Sequence, residues 1–200
     1  MSAPVRLAAV VVAGGSARRM GSVDKLALEV GGRSLLDRVL AAARPLCNPV
    51  VVVGPRRATA VEGVVFTTEA APGGGPVPAV AAGLAALDHD AGVAVAVLAG
   101  DLALLASAHL EALSATLSDP AVDAAAAVDE RGRPHPLLAV HRGPALGARV
   151  HGLGPELAGL PAAQLLPPGV VAVTLDPEAT LNVNRPADLE RARALLGARP

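Results

Sequence analysis

Continuous runs of apolar residues recur along the 200-residue chain, and each is long enough for one β-strand. These runs lack the alternating polar positions of a half-exposed strand, which is typical of strands covered by helices on both faces. The pattern predicts strands in the segments RLAAVVVA, PVVVVG, GVVFT, GVAVAVLAG, VDAAAAV, PLLAVHR and GVVAVTL.

Segments with helical spacing separate these strands. We predict helices over residues 34–43, 80–87, 107–117 and 186–196. Ser34 and Ser107 stand at favourable helix starts, and Pro186 suits a first helical turn. Because strands and helices alternate throughout, we expect an α/β fold with a mostly parallel central sheet and helices on both faces. The polar segment 129–136 predicts a turn within one antiparallel strand pair, and with no linker in the chain we expect a single domain over residues 1–200.

Composition limits the classes of partner. The net charge is −1 and Phe66 is the only aromatic residue, so the chain lacks both the basic face and the stacking platforms of nucleic-acid-binding proteins. Cys47 is the only cysteine, which excludes a disulfide within the chain and a zinc site built from several cysteines, and we interpret it as a small buried apolar residue. No apolar stretch reaches the roughly 18 residues of a membrane span. We therefore expect a cytoplasmic monomer with no nucleic-acid or membrane partner.

A glycine turn rich in cations follows the first predicted strand, in AVVVAGGSARRMGSVDK. Ligands of open parallel sheets bind beyond the carboxyl ends of the strands, and glycine lets backbone N–H groups face an anion there. Arg19 and Lys25 would add charge for a nucleotide triphosphate. Lys25 is also the only lysine of the chain. The alternative is a tight turn with solvated arginines. The predicted backbone contacts are Val12, Ala13, Gly14 and Gly15.

The same stretch resembles the signature loop of the MobA-like nucleotidyltransferases, through Gly14-Gly15, Arg19-Met20-Gly21 and Asp24-Lys25. Within that family it is most similar to the molybdenum cofactor guanylyltransferases. Further segments resemble the family in the same order along the chain: GGGPVPAVAAGLAAL, VAVLAGDLALL, RPHPLLAVHR and LNVNRPADL. The resemblance implies a three-layer Rossmann-like nucleotidyltransferase fold.

The resemblance also implies a reaction, in which GMP passes from GTP to molybdopterin or its molybdenum form and pyrophosphate leaves. Mg²⁺ would be the cofactor, with Asp101 as its ligand, and Arg19, Lys25 and Asp101 would be the catalytic residues. Two alternatives remain open at this point: a cytidylyl- or other nucleotidyltransferase with a different phosphate acceptor, and a non-catalytic nucleotide-binding module.

Asp101 ends a strongly apolar predicted strand. A carboxylate in that position needs a cation or hydrogen bonds to offset its desolvation, and Mg²⁺ together with the nucleotide phosphates would supply them. The alternative is a residue that caps a helix over the following LALL. The family usually has a Met-Pro pair after this aspartate, whereas Leu102 and Ala103 follow here, so the shape of the loop is open.

Other polar residues have weaker patterns. Glu69, before the GGGP segment, could accept hydrogen bonds from a guanine edge, or it could be a solvated loop carboxylate. Asn182 and Asn184 could position phosphates or the acceptor, or they could simply form a turn. We interpret His135 and His141 as structural.

Overall fold

The computed structural model describes residues 6–14, 24–87 and 93–198. The strands are β1 Leu7–Val12, β2 Glu29–Val30, β3 Arg33–Ser34, β4 Cys47–Val53, β5 Val64–Thr67, β6 Ala94–Ala99, β7 Ala124–Val128, β8 Pro134–Arg142 and β9 Val171–Val173. The helices are α1 Leu35–Ala43, α2 Pro76–Ala86, α3 Ser107–Ala115, α4 Gly143–Gly152 and α5 Pro186–Gly197. No helix in these ranges is long and apolar enough to cross a membrane.

Seven of the strands form one sheet in the order β5-β4-β1-β6-β8-β7-β9. Strand β1 is parallel to β4 and β6, β4 is parallel to β5, and β7 is parallel to β9. Strand β8 is antiparallel to both of its neighbours, β6 and β7. The sheet is therefore mostly parallel, and one reversed strand lies inside it.

Helices cover both faces of the sheet, because the buried strands present apolar side chains alternately to each side. On β1, Ala9 and Val11 belong to the core cluster that includes residues of α1, α3 and α5. Ala8 and Val10 belong to the opposite cluster, with residues of α2 and α4. These three layers confirm the α/β prediction made from the apolar runs.

The predicted antiparallel pair is β7 and β8, joined by a polar turn. Asp129 organises this turn by accepting hydrogen bonds from the backbone N–H groups of Arg131 and Arg133, at 2.8 and 2.9 Å. The prediction did not include the second antiparallel pairing, between β8 and β6. Because β8 is antiparallel to β6, the amino end of β8 lies at the same edge of the sheet as the carboxyl ends of β1 and β6.

The helices differ from the prediction in two places. Helix α2 begins at Pro76, four residues before its predicted start, because the fixed φ of proline is compatible with a first helical turn. Helix α4 was not predicted, since its sequence GPALGARVHG contains one proline and three glycines. Its buried side chains, Leu146 and Val150, are four residues apart and pack on the sheet. Tertiary packing therefore stabilises a helix of weak intrinsic propensity.

Candidate active site

The carboxyl ends of the central strands continue as a staggered set of backbone hydrogen bonds. The N–H of Ala13 donates to the carbonyl of Val53 at 2.8 Å, and the N–H of Gly100 donates to the carbonyl of Val12 at 2.9 Å. At Gly54, φ is 149°, and a Cβ there would lie 2.7 Å from the carbonyl of Ala13, so only glycine fits this close approach. The strand ends are consequently held close together immediately before the candidate site residues.

Asp101 follows β6 and is 8% exposed. Its carboxylate has a partner on each oxygen. Oδ2 accepts from Nζ of Lys25 at 2.5 Å, and Oδ1 accepts from Nδ2 of Asn182 at 2.5 Å. Helix α3 begins six residues later, at Ser107, with Ala106 as its N-cap, so the helix-capping interpretation of Asp101 is wrong.

Lys25 reaches Asp101 from a short 3₁₀ turn, Lys25–Ala27, whose N-cap is Asp24. The ammonium also donates to Oδ1 of Asn184 at 3.1 Å. An ammonium has three N–H donors. Within the described part of the chain, the third N–H of Lys25 has no acceptor in hydrogen-bond range. Since 21% of the Lys25 side chain is exposed, a ligand at the sheet edge can contact it.

Asn182 and Asn184 come to Asp101 through the backbone of their own segment. Leu102 forms an isolated antiparallel bridge with Asn182, and the N–H of Val183 donates to the carbonyl of Asp101 at 3.2 Å. Asn182 is half-buried and its amide is occupied by Asp101, whereas Asn184 is exposed. The two asparagines, predicted as one acceptor-binding set, therefore differ in what they can contact.

His135, interpreted from the sequence as structural, is part of this cluster. Its Nε2 lies 2.7 Å from Oδ1 of Asn182. Because Nδ2 of Asn182 donates to Asp101, its Oδ1 must be the acceptor, and His135 therefore carries its proton on Nε2. The other ring nitrogen, Nδ1, is buried without a hydrogen-bond partner among the described residues. His135 thus fixes the amide orientation that Asn182 presents to Asp101.

Glu69 lies at a second corner of the edge. Its Oε2 accepts from the N–H of Gly74 at 3.2 Å, within the GGGP segment before α2. Its Oε1 would be 3.2 Å from a Cβ built on Gly14, so the absence of a side chain at Gly14 lets the carboxylate approach the turn after β1. Glu69 therefore connects the GGGP segment to the turn after β1, which the sequence predicts to contact the nucleotide.

The described residues place Val12, Ala13 and Gly14 at the end of β1, beside Gly100 and the Asp101 loop. Gly15 and Arg19, which the sequence also predicts as site residues, lie outside the described residues.

The donor set fits a Mg²⁺ ion that arrives with a nucleotide. A carboxylate offers about four acceptor positions, and Asp101 uses one on each oxygen, so each oxygen can accept a further ligand. Within residues 6–14, 24–87 and 93–198, no cluster of three or more His, Cys, Asp or Glu side chains could hold a metal ion. Mg²⁺ commonly binds through one or two carboxylates plus substrate phosphates and water, which is compatible with Asp101.

The fold is that of a nucleotidyltransferase. The structure of molybdopterin-guanine dinucleotide biosynthesis protein A from Archaeoglobus fulgidus superimposes with a TM-score of 0.73 at 21% identity, covering 96% of this chain and 99% of that one. The structure of 4-diphosphocytidyl-2C-methyl-D-erythritol synthase from Anaerococcus prevotii superimposes with a TM-score of 0.70 at 14% identity, covering 98% and 100%. At these identities the structures establish the fold alone.

Sequence comparison establishes the family. The family model for the MobA-like NTP transferase domain matches residues 9–159, and the chain belongs to that family. A probable molybdenum cofactor guanylyltransferase of Chloroflexus aggregans is 31% identical over 210 aligned residues, covering 98% of each chain. The resemblance noted in the sequence is confirmed, and the protein is an enzyme of the nucleotidyltransferase class.

Proposed function

We propose that this enzyme transfers GMP from GTP to molybdopterin or its molybdenum form, with release of pyrophosphate. The observation that carries the proposal is the Lys25–Asp101 pair at 2.5 Å, held at the carboxyl edge of a parallel sheet. This edge is where α/β proteins of this architecture bind nucleotides. The name of the relative from Chloroflexus aggregans, a probable molybdenum cofactor guanylyltransferase, supports the guanylyl group and the kind of acceptor.

The reaction needs alignment and charge neutralisation more than a protein nucleophile. A phosphate oxygen of the acceptor attacks the α-phosphorus of GTP, and the bond from that phosphorus to the oxygen leading to the β-phosphate breaks. The acceptor phosphate is already ionised, so no side chain has to remove its proton. Lys25, whose ammonium has one N–H without an acceptor among the described residues, would contact the triphosphate and neutralise charge on it.

Mg²⁺ bound to the nucleotide would polarise the phosphoryl oxygens and neutralise the charge that moves to the leaving group. Asp101 would hold the ion through the acceptor positions that Lys25 and Asn182 leave on its carboxylate. His135 and Asn182 would keep that carboxylate in one orientation. Nε2 of His135 lies 2.7 Å from Oδ1 of Asn182, and Nδ2 of Asn182 lies 2.5 Å from Oδ1 of Asp101. The protein's contribution would be a carboxylate of fixed position, which avoids reorganisation during the reaction.

Base selection would depend on Glu69. Guanine carries two adjacent donors, N1–H and the 2-amino group, and a carboxylate has two oxygens to accept them. Glu69 is half-buried, and a backbone N–H of the GGGP segment holds its Oε2, so it is oriented before a nucleotide binds. Cytosine presents one such donor beside an acceptor nitrogen that a carboxylate would repel. Glu69 therefore supports GTP over CTP as the donor.

Asn184 is the better candidate of the two asparagines for contacting the acceptor. It is exposed, and Lys25 orients its Oδ1. Its own N–H donates to the carboxylate of Asp188 at 2.9 Å, which fixes the backbone at the start of α5. Its amide can then donate to an acceptor phosphate, whereas Asn182 would act only through Asp101.

The experiment incubates the purified protein with each of the four nucleoside triphosphates, Mg²⁺ and molybdopterin, and measures pyrophosphate together with the product mass. Of the four nucleotides, we expect only GTP to give pyrophosphate and a molybdopterin–GMP product. Product with CTP instead would reject the guanylyl assignment and keep the class of reaction. Nucleotide binding without any product would favour a non-catalytic module.

A paired substitution tests the role of Asp101. Asp101→Asn keeps the shape and removes the charge, so turnover should fall by a factor on the order of a thousand or more while the protein stays folded. Glu111→Gln, which removes an exposed carboxylate on α3, is the matched control and should keep full turnover. A folded Asp101→Asn variant with near-normal Mg²⁺-dependent turnover would reject the metal role.

A further inference from the structure

One guanidinium connects the turn after β1 to the segment that carries Lys25. Nη1 of Arg57 donates to the carbonyl of Ala13 at 2.9 Å, and to that of Pro55 at 3.2 Å. Nε of the same residue donates to Oδ2 of Asp24 at 2.6 Å, and Nη2 donates to Oδ1 at 3.1 Å. Ala13 and Asp24 are separated by ten residues in the sequence but share this one side chain.

The fork from Arg57 to Asp24 is bidentate, which sets the plane of the carboxylate as well as its distance. The same carboxylate is the N-cap of the 3₁₀ turn, since its Oδ1 accepts from the N–H of Leu26 at 3.2 Å. Lys25 is the first residue of that turn. The position of Lys25 is thus determined by Asp24, and the position of Asp24 by Arg57.

Arg57 is poorly suited to bind the nucleotide itself. Four of its five N–H groups are used by Ala13, Pro55 and the two oxygens of Asp24. Only 15% of its side chain is exposed. The hydrogen bonds from Arg57 are also the largest cause of a lowered pKa at Asp24, so the carboxylate stays ionised and the fork stays charge-assisted.

We propose that Arg57 is a positioning residue for catalysis: through its fork to Asp24 and its bond to Ala13, it holds Lys25 in register with Asp101. This proposal has two consequences. The first, that Arg57 fixes the position of Lys25 relative to Asp101, concerns the protein without ligand. The second, tighter binding of the triphosphate, rests on the function proposed above.

The neighbouring arginine provides a matched control. The guanidinium carbon of Arg56 lies 5.7 Å from the centre of the Phe66 ring, on the β5 side of the same loop. Arg56→Ala therefore removes an equal charge from an adjacent position without touching Asp24 or Ala13. If Arg57 acted only as diffuse positive charge, Arg56→Ala and Arg57→Ala would have the same effect on Lys25 and on nucleotide binding. The proposed connection predicts an effect for Arg57→Ala alone.

The first measurement uses the single lysine of the chain. In untagged protein labelled with ¹³C-lysine, one side-chain signal set reports on Lys25 alone. Asp101→Asn provides the shift of a Lys25 whose ion pair is broken. We expect Arg57→Ala and Asp24→Asn each to move the signal toward that reference, Arg57→Lys to move it less, and Arg56→Ala to leave it in place. A signal unchanged in Arg57→Ala would overturn the proposal.

The second measurement is the dissociation constant of Mg·GTP by calorimetry. We expect a five- to tenfold increase for Arg57→Ala, the same increase for Asp24→Asn, and no further increase for the double variant, because both changes break one connection. A normal constant in Arg57→Ala with a moved lysine signal would overturn the binding consequence and keep the register. A wild-type protein that binds no nucleotide would reject the proposed function, while the lysine signal still decides the role of Arg57.

Discussion

The Lys25–Asp101 pair leads to an asymmetric effect on stability. Asp101 is 8% exposed, and among the described residues its Oδ1 accepts only from the Asn182 amide, so Lys25→Met would leave a largely buried carboxylate without its cation. Removing one partner from a buried pair costs about 3–5 kcal/mol. Because 21% of the Lys25 side chain is exposed and water can reach the site, we expect about 2–3 kcal/mol here.

The reverse change should cost less. In Asp101→Asn, the new amide oxygen accepts from Asn182, whose orientation His135 fixes, and the new NH₂ group faces Lys25. The lysine side chain can turn into solvent, so we expect a loss of about 1 kcal/mol. In the double variant no buried charge remains. Its stability should match that of Asp101→Asn and exceed that of Lys25→Met, with a coupling of about 2–3 kcal/mol.

Urea unfolding followed by far-UV circular dichroism measures these differences, with unchanged m-values as the condition for comparing them. Arg191→Met is the matched control, since Arg191 and Glu130 form an ion pair at 2.8 Å with side chains 51% and 60% exposed. It should cost less than about 0.5 kcal/mol. If Lys25→Met costs as little as Arg191→Met and the effects of the two site changes on stability are additive, the ion pair is not formed in solution and Lys25 does not orient Asp101.

Further predictions follow from buried groups. Burial lowers the pKa of His141 to about 4, below its ordinary value of about 6.5. The stability that depends on the neutral ring is therefore fully present above pH 6.5, and about 3 kcal/mol of it should be lost as the pH falls from about 6.5 through 4. The acid-unfolding curve of His141→Leu should lack this loss. Burial raises the pKa of the Cys47 thiol to about 12, so iodoacetamide should label it in urea and not in the native protein. His135→Ala should weaken activation by Mg²⁺ about tenfold, and His135→Gln, which can still donate to Asn182, should restore it; equal effects of both would contradict the orienting role.

Most of the sheet was predictable because its strands are buried on both sides, which leaves uninterrupted apolar runs in the sequence. Helix α4 was not, since its propensity is low and only packing on the sheet stabilises it. The two-residue strands β2 and β3 are too short to produce a pattern of their own. Local physical chemistry thus gives the layers, while contacts distant in sequence decide the remaining elements.

The candidate site likewise contains residues that the sequence indicates and residues that only the fold reveals. Asp101 and Glu69 stand out as charged residues directly after an apolar strand or beside a glycine turn, and Lys25 stands out as the only lysine of the chain. The hydrogen bond from Asn182 to Asp101 crosses 81 positions of sequence and depends on a single backbone bridge. Arg57 gave no signal, because a second arginine precedes it and only the fold tells which of the two meets Asp24.

His135 could not be placed at the site from the sequence, because its position depends on the pairing of β8 with β6. The turn before β8 makes this strand antiparallel to β7, and only the structure shows that β8 is also antiparallel to β6, which places its first residues at the edge where β6 ends. His135 is the second residue of β8, and its ring meets Asn182 there, with Nε2 2.7 Å from Oδ1. The reversal of one strand therefore brings to the carboxyl edge a donor that an all-parallel sheet would place at the opposite edge, and this donor orients the amide that holds Asp101.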